Sequence, residues 1–264
     1  MPLASQDSSA PIAGVIPARY ASSRFPGKPL ALLEGRPMIL HVCERVAQAR
    51  RIQVLWVATD DERIAEVVRE AGYEARMTPV DCPSGTDRLA ASLRPDEPWE
   101  ILVNIQGDEP RIEPDVIDAV AESLVGSPEC GASTAAIPIT DRAAFESPHV
   151  VKVVMAPSGR ALYFSRSPLP SPVRLNAQQE AADDFAWGLK HLGLYAYRRA
   201  LLEAFAGWAP TPLETRECLE QLRLLENGVA MQVAIVPHDS IGVDTPEELR
   251  ELEMRRPSAP TPLH

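Results

Sequence analysis

Short apolar runs alternate with amphipathic segments over the first half of the chain, and this alternation constrains the fold more than any other feature. "IAGVIP" at 12–17, "QVLWVA" at 53–58 and "EILVNIQ" at 100–106 have the length and β-forming content of buried strands. Between them, Ile39, Val42, Cys43 and Val46 recur on one helical face, and Ile64, Val67, Val68 and Ala71 on another, with Gly72 as a stop. "EPDVIDAVAESLV" (113–125) is a helix with Pro114 near its first position. Strands separated by helices pair in parallel through right-handed crossovers. The spacing therefore predicts an α/β fold with a mostly parallel central sheet flanked by helices.

The alternation loosens after Gly131. "GASTAAIPI" (131–139) reads as a strand, and "VVKVVMAPSGRALYFS" (150–165) as two strands joined at "APSG". Proline-rich 166–188 has no clear period and reads as a long loop, followed by a strand at "LKHLGLYAYR". "PLETRECLEQLRLLENG" (212–228) reads as one helix and "AMQVAIVP" as a last strand. "TPEELRELEMRR" carries Thr245 and Glu248 in the spacing of a capping box.

Composition sets the outer limits. The chain has 264 residues, 45% hydrophobic and 24% charged, the balance of a soluble globular protein. No apolar run has the length of a membrane span, and the N-terminal stretch does not read as a secretory signal. Cys43, Cys82, Cys130 and Cys218 show no metal-like pairing and read as reduced cytoplasmic thiols. With 26 Lys+Arg against 37 Asp+Glu, net charge −11, the chain is not a general nucleic-acid binder. Any phosphate must be held by a few local cations.

Such cations exist. The stretch from Ser8 to Leu33 has no acidic residue and holds Arg19, Arg24 and Lys28 in a Gly/Pro/Ser-rich loop between a strand and a helix. That is either a solvated basic loop or an anion site at a strand end. It is neither a GxxxxGK[ST] nor a GxGxxG loop. "VNIQGDEP" (103–110) places Asp108 and Glu109 directly after a buried strand, as a turn or as a site for Mg²⁺. Asp244 precedes the capped helix and is either a helix-end residue or a second metal carboxylate. Glu214, Glu217 and Gln221 fall on one face of the expected helix, and His191 and Tyr195 on one face of the expected strand. All five are equally compatible with structural roles. No Ser-His-Asp, Cys-His or zinc pattern is present, so the residues give no support for a covalent protein intermediate.

Taken in order, "VIPARYASSRFPGKPL", "VATDDERI", "SGTDRLA", "VNIQGDEP", "VKVVMAPSGRALYFSRSPLP", "KHLGLYAYRR", "PTPLETRECLEQLRLLENG" and "GVDTPEELRELE" resemble the 3-deoxy-manno-octulosonate (KDO) cytidylyltransferases. The resemblance runs from about Ile12 to Met254. It implies the nucleotide-diphospho-sugar transferase fold, with one domain over 12–255. A nucleotide-binding part would span about 12–130 and a sugar-binding and dimerisation part about 131–240. Segments 1–11 and 256–264 would be disordered tails. It further implies transfer of CMP from CTP to the 2-hydroxyl of KDO for lipopolysaccharide synthesis, with Mg²⁺, by a cytoplasmic homodimer. The alternative acceptors are 8-amino-KDO and sialic acid.

The resemblance also carries residue roles. Arg19 and Lys28 would meet the triphosphate, and Arg24 matches a motif position. Pro17, Ala18, Arg76, Ser84, Gly85, Thr86 and Arg88 would lie near the cytosine end. Gln106 would stand between nucleotide and sugar, and Asp108 and Asp244 would hold the metal. Arg166, His191, Tyr195, Glu214, Glu217 and Gln221 would form the sugar pocket. Two departures stand out. Cys82 occupies a position where the family pattern has histidine, and 168–186 is poorly matched.

Overall fold

The apolar runs pair side by side. The computed structural model describes residues 10–22, 24–172 and 186–254. In chain order these form β1 (Ile12–Ala18), β2 (Leu32–Leu33), β3 (Arg36–Pro37), α1 (Met38–Ala47), β4 (Val54–Thr59), α2 (Glu62–Glu70), β5 (Glu74–Met77) and α3 (Gly85–Ala91). Then come β6 (Ile101–Asn104), α4 (Pro114–Val125), β7 (Ala132–Ile139), α5 (Arg142–Glu146), β8 (Lys152–Met155) and β9 (Ala161–Ser165). Last are β10 (Gly188–Arg198), α6 (Arg199–Phe205), α7 (Pro212–Glu217), α8 (Gln221–Glu226), β11 (Met231–Ile235) and α9 (Pro246–Met254).

The main sheet runs β11-β7-β10-β6-β1-β4-β5, with β8 and β9 branching from β10. β1 pairs in parallel with β4 and β6, β4 with β5, and β11 with β7. β10 is inserted antiparallel between β6 and β7. Alternate side chains of each strand feed opposite faces of the sheet. On one face Ile12 and Ile16 pack with Ile39, Val42 and Val46 of α1, Ile64 and Val68 of α2 and Val120 and Leu124 of α4. On the other, Ala13 and Val15 pack with Leu89, Leu202, Phe205, Leu219 and Leu222. The α/β expectation and the hairpin at 156–159 hold.

The structure corrects the single helix over 212–228. α7 ends at Cys218, which takes a left-handed conformation (φ 54), and α8 begins at Gln221. The Leu219 N–H closes onto Glu214 O at 3.2 Å, and the turn sends Leu219 and Leu222 into the core. The expected N-terminal tail is also too long. Pro11 O accepts from Glu100 N at 2.9 Å and from Ile101 N at 3.2 Å, so Pro11 extends the sheet's hydrogen bonding, and Ala10 packs against the core. The rest of that tail, the tail at 256–264 and most of the loop at 168–186 lie outside the described residues.

Candidate active site

The opening basic loop is pinned by its own residues. Gly27 sits at φ 72, and a Cβ there would meet the Tyr20 ring at 3.1 Å. Its N–H donates to Tyr20 O at 2.9 Å. The Arg63 guanidinium stacks over the Tyr20 ring, 3.4 Å from its centroid. The loop so closed ends in a 3₁₀ turn, Lys28–Leu30, which presents the Lys28 side chain to the carboxyl ends of the strands.

Two further segments meet it there. After β6, Gly107 packs so closely that a Cβ would stand 2.8 Å from Pro17 O, hence a residue without one. Asp108 follows, and its Oδ2 accepts from Lys28 Nζ at 2.7 Å. The third segment comes from the far end of the chain. Val243 N donates to Asp108 O at 2.9 Å, and its buried side chain packs with Leu33, Met38, Leu249 and Leu252. The capping box forms as expected, with the Glu248 carboxylate accepting from Thr245 N and the Thr245 hydroxyl accepting from Glu248 N. Asp244, one residue earlier, receives Lys28 Nζ at 3.2 Å and the Arg24 guanidinium at 2.9 Å. A small apolar cluster shared by the basic loop and α9 thus brings together groups 216 positions apart.

These groups line a cavity of about 300 Å³. Pro17, Ala18, Arg19, Arg24, Lys28, Ser84, Gly85, Arg88, Gln106, Asp108 and Asp244 all border it. Ser84 caps α3 by accepting from Asp87 N. Arg88 is buried, held by the Asp60 carboxylate at 2.8 Å and by Thr78 Oγ1 at 2.6 Å. The structure does not bring Arg76 or Thr86 to this cavity. Arg76 is closed in by Glu97, Glu74 and the Trp56 ring, and the Thr86 hydroxyl donates to Glu220. Ser22, Pro29, Cys82, Pro83 and Gly107 also line it and were missed as site residues, although all lie in or beside the quoted motifs. Burial raises the Cys82 thiol pKa, so the group is a thiol rather than an anion.

Gln106 reaches from this cavity to the neighbouring cluster. Its Nε2 donates to Gly193 O at 2.9 Å, inside a bulge of β10 between Leu192 and Tyr195. The bulge leaves His191 and Tyr195 on one face with ring centroids 5.4 Å apart. His191 is buried against Phe164 and meets Thr134 Oγ1 through Nε2 at 3.0 Å. Burial pushes its pKa down to about 3, so the ring is neutral. Arg166 and Glu217 form a second group. Glu217 accepts from Arg166 N at 3.0 Å and Ser165 Oγ at 2.7 Å, and Glu217 O accepts from Arg166 Nε at 2.9 Å. Beneath them the fully buried Lys152 ammonium donates to Ser147 O, Val150 O and Arg166 O. Gln221 is buried with Nε2 unpaired among the described residues.

Glu214 is placed differently from the one-face reading. Its carboxylate receives Arg223 Nε at 2.8 Å and Thr211 N at 3.0 Å, deep between α7 and α8. Burial opposes its ionisation most, but the Arg223 and Thr211 hydrogen bonds and the Arg223 charge together outweigh that cost and hold the pKa below the usual carboxylate range. Glu109, beside Asp108, is buried and receives the Ser240 hydroxyl, and burial pushes its pKa up to about 7.

The Cytidylyltransferase family model matches residues 13–235. A 3-deoxy-manno-octulosonate cytidylyltransferase of Syntrophotalea carbinolica is 49% identical over 92% of this chain and 97% of its own length. One from Geobacter metallireducens is 50% identical over 90% of this chain and 94% of its own. A solved CMP:2-keto-3-deoxy-manno-octonic acid synthetase, complexed with CTP, superposes with a TM-score of 0.83 at 40% identity, covering 92% of this chain and 97% of that one. The chain belongs to the cytidylyltransferase family, among the 3-deoxy-manno-octulosonate cytidylyltransferases.

Proposed function

We propose that the chain transfers CMP from CTP to the 2-hydroxyl of KDO, giving CMP-KDO and pyrophosphate for lipopolysaccharide biosynthesis. The observation that carries this reading is the cavity where Lys28, Asp108 and Asp244 converge, in a chain 40% identical to a synthetase solved with CTP. The hydroxyl oxygen attacks the α-phosphorus, the bond to the bridging oxygen breaks, and the hydroxyl proton passes to solvent. Lys28, Arg19 and Arg24 border the cavity, where they offset charge on the leaving pyrophosphate. Gln106, bonded to the Gly193 bulge, stands between the nucleotide and the acceptor.

Mg²⁺ is part of the proposal. It is a hard ion that takes one or two protein carboxylates and keeps waters and phosphate oxygens as its other ligands. Asp108 and Asp244, drawn together by one ammonium, fit that donor set. When bound, the ion withdraws charge from the α-phosphate and acidifies the attacking hydroxyl. We also propose a homodimer in the cytoplasm. Exposed Leu162 and Ile235, on β9 and β11, which meet near the Arg160–Gln232 bridge, offer apolar surface to a second copy. Free Cys43, Cys82, Cys130 and Cys218 suit a reducing compartment. No described helix is long and apolar enough to cross a membrane.

The deciding experiment is pyrophosphate release with CTP, Mg²⁺ and a panel of KDO, 8-amino-KDO and sialic acid. KDO as the acceptor with the highest kcat/KM is the expected result. Preference for another acceptor, or equal turnover with ATP, would overturn the assignment.

A further inference from the structure

Glu109 lies next to Asp108 in sequence, but its side chain turns away from the cavity. It is 8% exposed and accepts a hydrogen bond from the Ser240 hydroxyl, 131 positions later. Ser240 belongs to the irregular segment between β11 and α9, the segment that delivers Asp244. That segment has no ladder of its own. It is tied down at His238–Asp115 (3.5 Å), Lys190–Asp239 (2.8 Å), Glu109–Ser240 and Val243 N–Asp108 O (2.9 Å), besides the cations that meet Asp244 itself. The Lys190–Asp239 pair is solvent-accessible and screened. The Val243 bond holds the backbone but offers no side chain to choose. The Glu109–Ser240 bond has a buried carboxylate at one end, and it joins the loop of one metal-candidate carboxylate to the loop of the other.

We propose that Glu109 is a positioning residue. Through Ser240 it fixes the 238–244 segment so that Asp244 stays beside Asp108, where both carboxylates now meet Lys28 Nζ. This rests on the reading that Asp108 and Asp244 act on a shared ion. Carboxylate positions set by a supporting hydrogen bond are sensitive to its loss, typically by about 10–100-fold in metal affinity.

The test is Mn²⁺ binding to the full chain in the presence of CTP, followed by electron paramagnetic resonance, beside the KM for Mg²⁺ and the kcat. Glu109→Ala and Ser240→Ala should each weaken Mn²⁺ by about tenfold or more and raise the KM for Mg²⁺. Saturating Mg²⁺ should restore most of kcat. Glu109→Gln keeps a carbonyl oxygen to accept the Ser240 hydroxyl and should recover Mn²⁺ affinity. The double variant should be no worse than either single one. Ser240→Ala removes one loop hydroxyl and reports even if Glu109→Ala fails to fold. Unchanged Mn²⁺ affinity in Ser240→Ala, with a tenfold loss in Asp108→Asn, would overturn the positioning role and leave the shared ion standing. Unchanged affinity in Asp108→Asn would overturn the shared ion itself.

Discussion

Lys28 Nζ lies 2.7 Å from Asp108 Oδ2 across 80 positions of sequence, and the same ammonium holds Asp244 on its other side. Two carboxylates this close repel unless a cation stands between them. Lys28→Ala removes that cation and a charge on the phosphate side of the cavity. Turnover at saturating CTP should fall about a hundredfold, on the order of 3 kcal/mol. The variant should also gain more thermal stability from Mg²⁺ than the wild type does, because its carboxylates lack their counter-charge. Near-normal kcat with unchanged Mg²⁺ stabilisation would reduce Lys28 to a surface cation.

Asp108 and Asp244 should fail together. Asp108→Asn and Asp244→Asn are each expected to abolish turnover almost completely, and the double variant to be little worse, because groups that act as a unit are not additive. If Asp244 merely favoured the start of α9, Asp244→Asn would cost about 0.3–1 kcal/mol of stability and leave chemistry intact. Turnover of all three variants across a Mg²⁺ titration separates the two cases. Wild-type metal dependence in Asp244→Asn removes it from the site.

Much of this was legible because burial and period coincide. β1, β4 and β6 are apolar runs between amphipathic helices, and the ligand-facing strand ends follow from their parallel pairing. β5 was missed because "EARM" is four residues with two charges, and α3 because its buried residues are Thr86, Arg88 and Leu89, with no apolar repeat. The break at Cys218 was invisible because the apolar period continues through it. In one straight helix Glu214 and Arg223, nine positions apart, would stand about 180° apart. The turn folds α8 back so that they meet. At the site, Asp108 could be placed by its strand. Asp244 could not, since its position depends on Val243 packing against Leu33 and Met38, a contact between the two ends of the chain.

His191 should make stability pH-dependent on the acid side. Burial lowers its pKa to about 3 in the fold, against about 6.5 when unfolded. Between those values the unfolded chain binds a proton that the native ring refuses. Stability from this residue is therefore complete above about pH 6.5 and is lost as pH falls toward 3. The slope is at most about 1.4 kcal/mol per pH unit. Denaturant unfolding of wild type and His191→Gln from pH 4.5 to 7.5 reads the difference, and the variant should show the flatter profile. Parallel profiles would mean that the ring gains a proton without unfolding.

Glu214 is expected to act on stability rather than on acceptor binding. Its side chain and that of Arg223 are 12% and 10% exposed, and each is the other's main partner. Removing one member of a buried pair leaves the other desolvated and unpaired, at about 3–5 kcal/mol. Glu214→Ala should therefore lower the melting temperature sharply, and Arg223→Met should do the same. The double variant should recover part of the loss, because no lone charge remains. If the carboxylate instead contacted the sugar, Glu214→Gln would raise the KM for KDO while Arg223→Met left it unchanged. Measuring melting temperature and acceptor KM on the same preparations distinguishes these outcomes. A raised KM in Glu214→Gln at wild-type stability would return Glu214 to the sugar pocket.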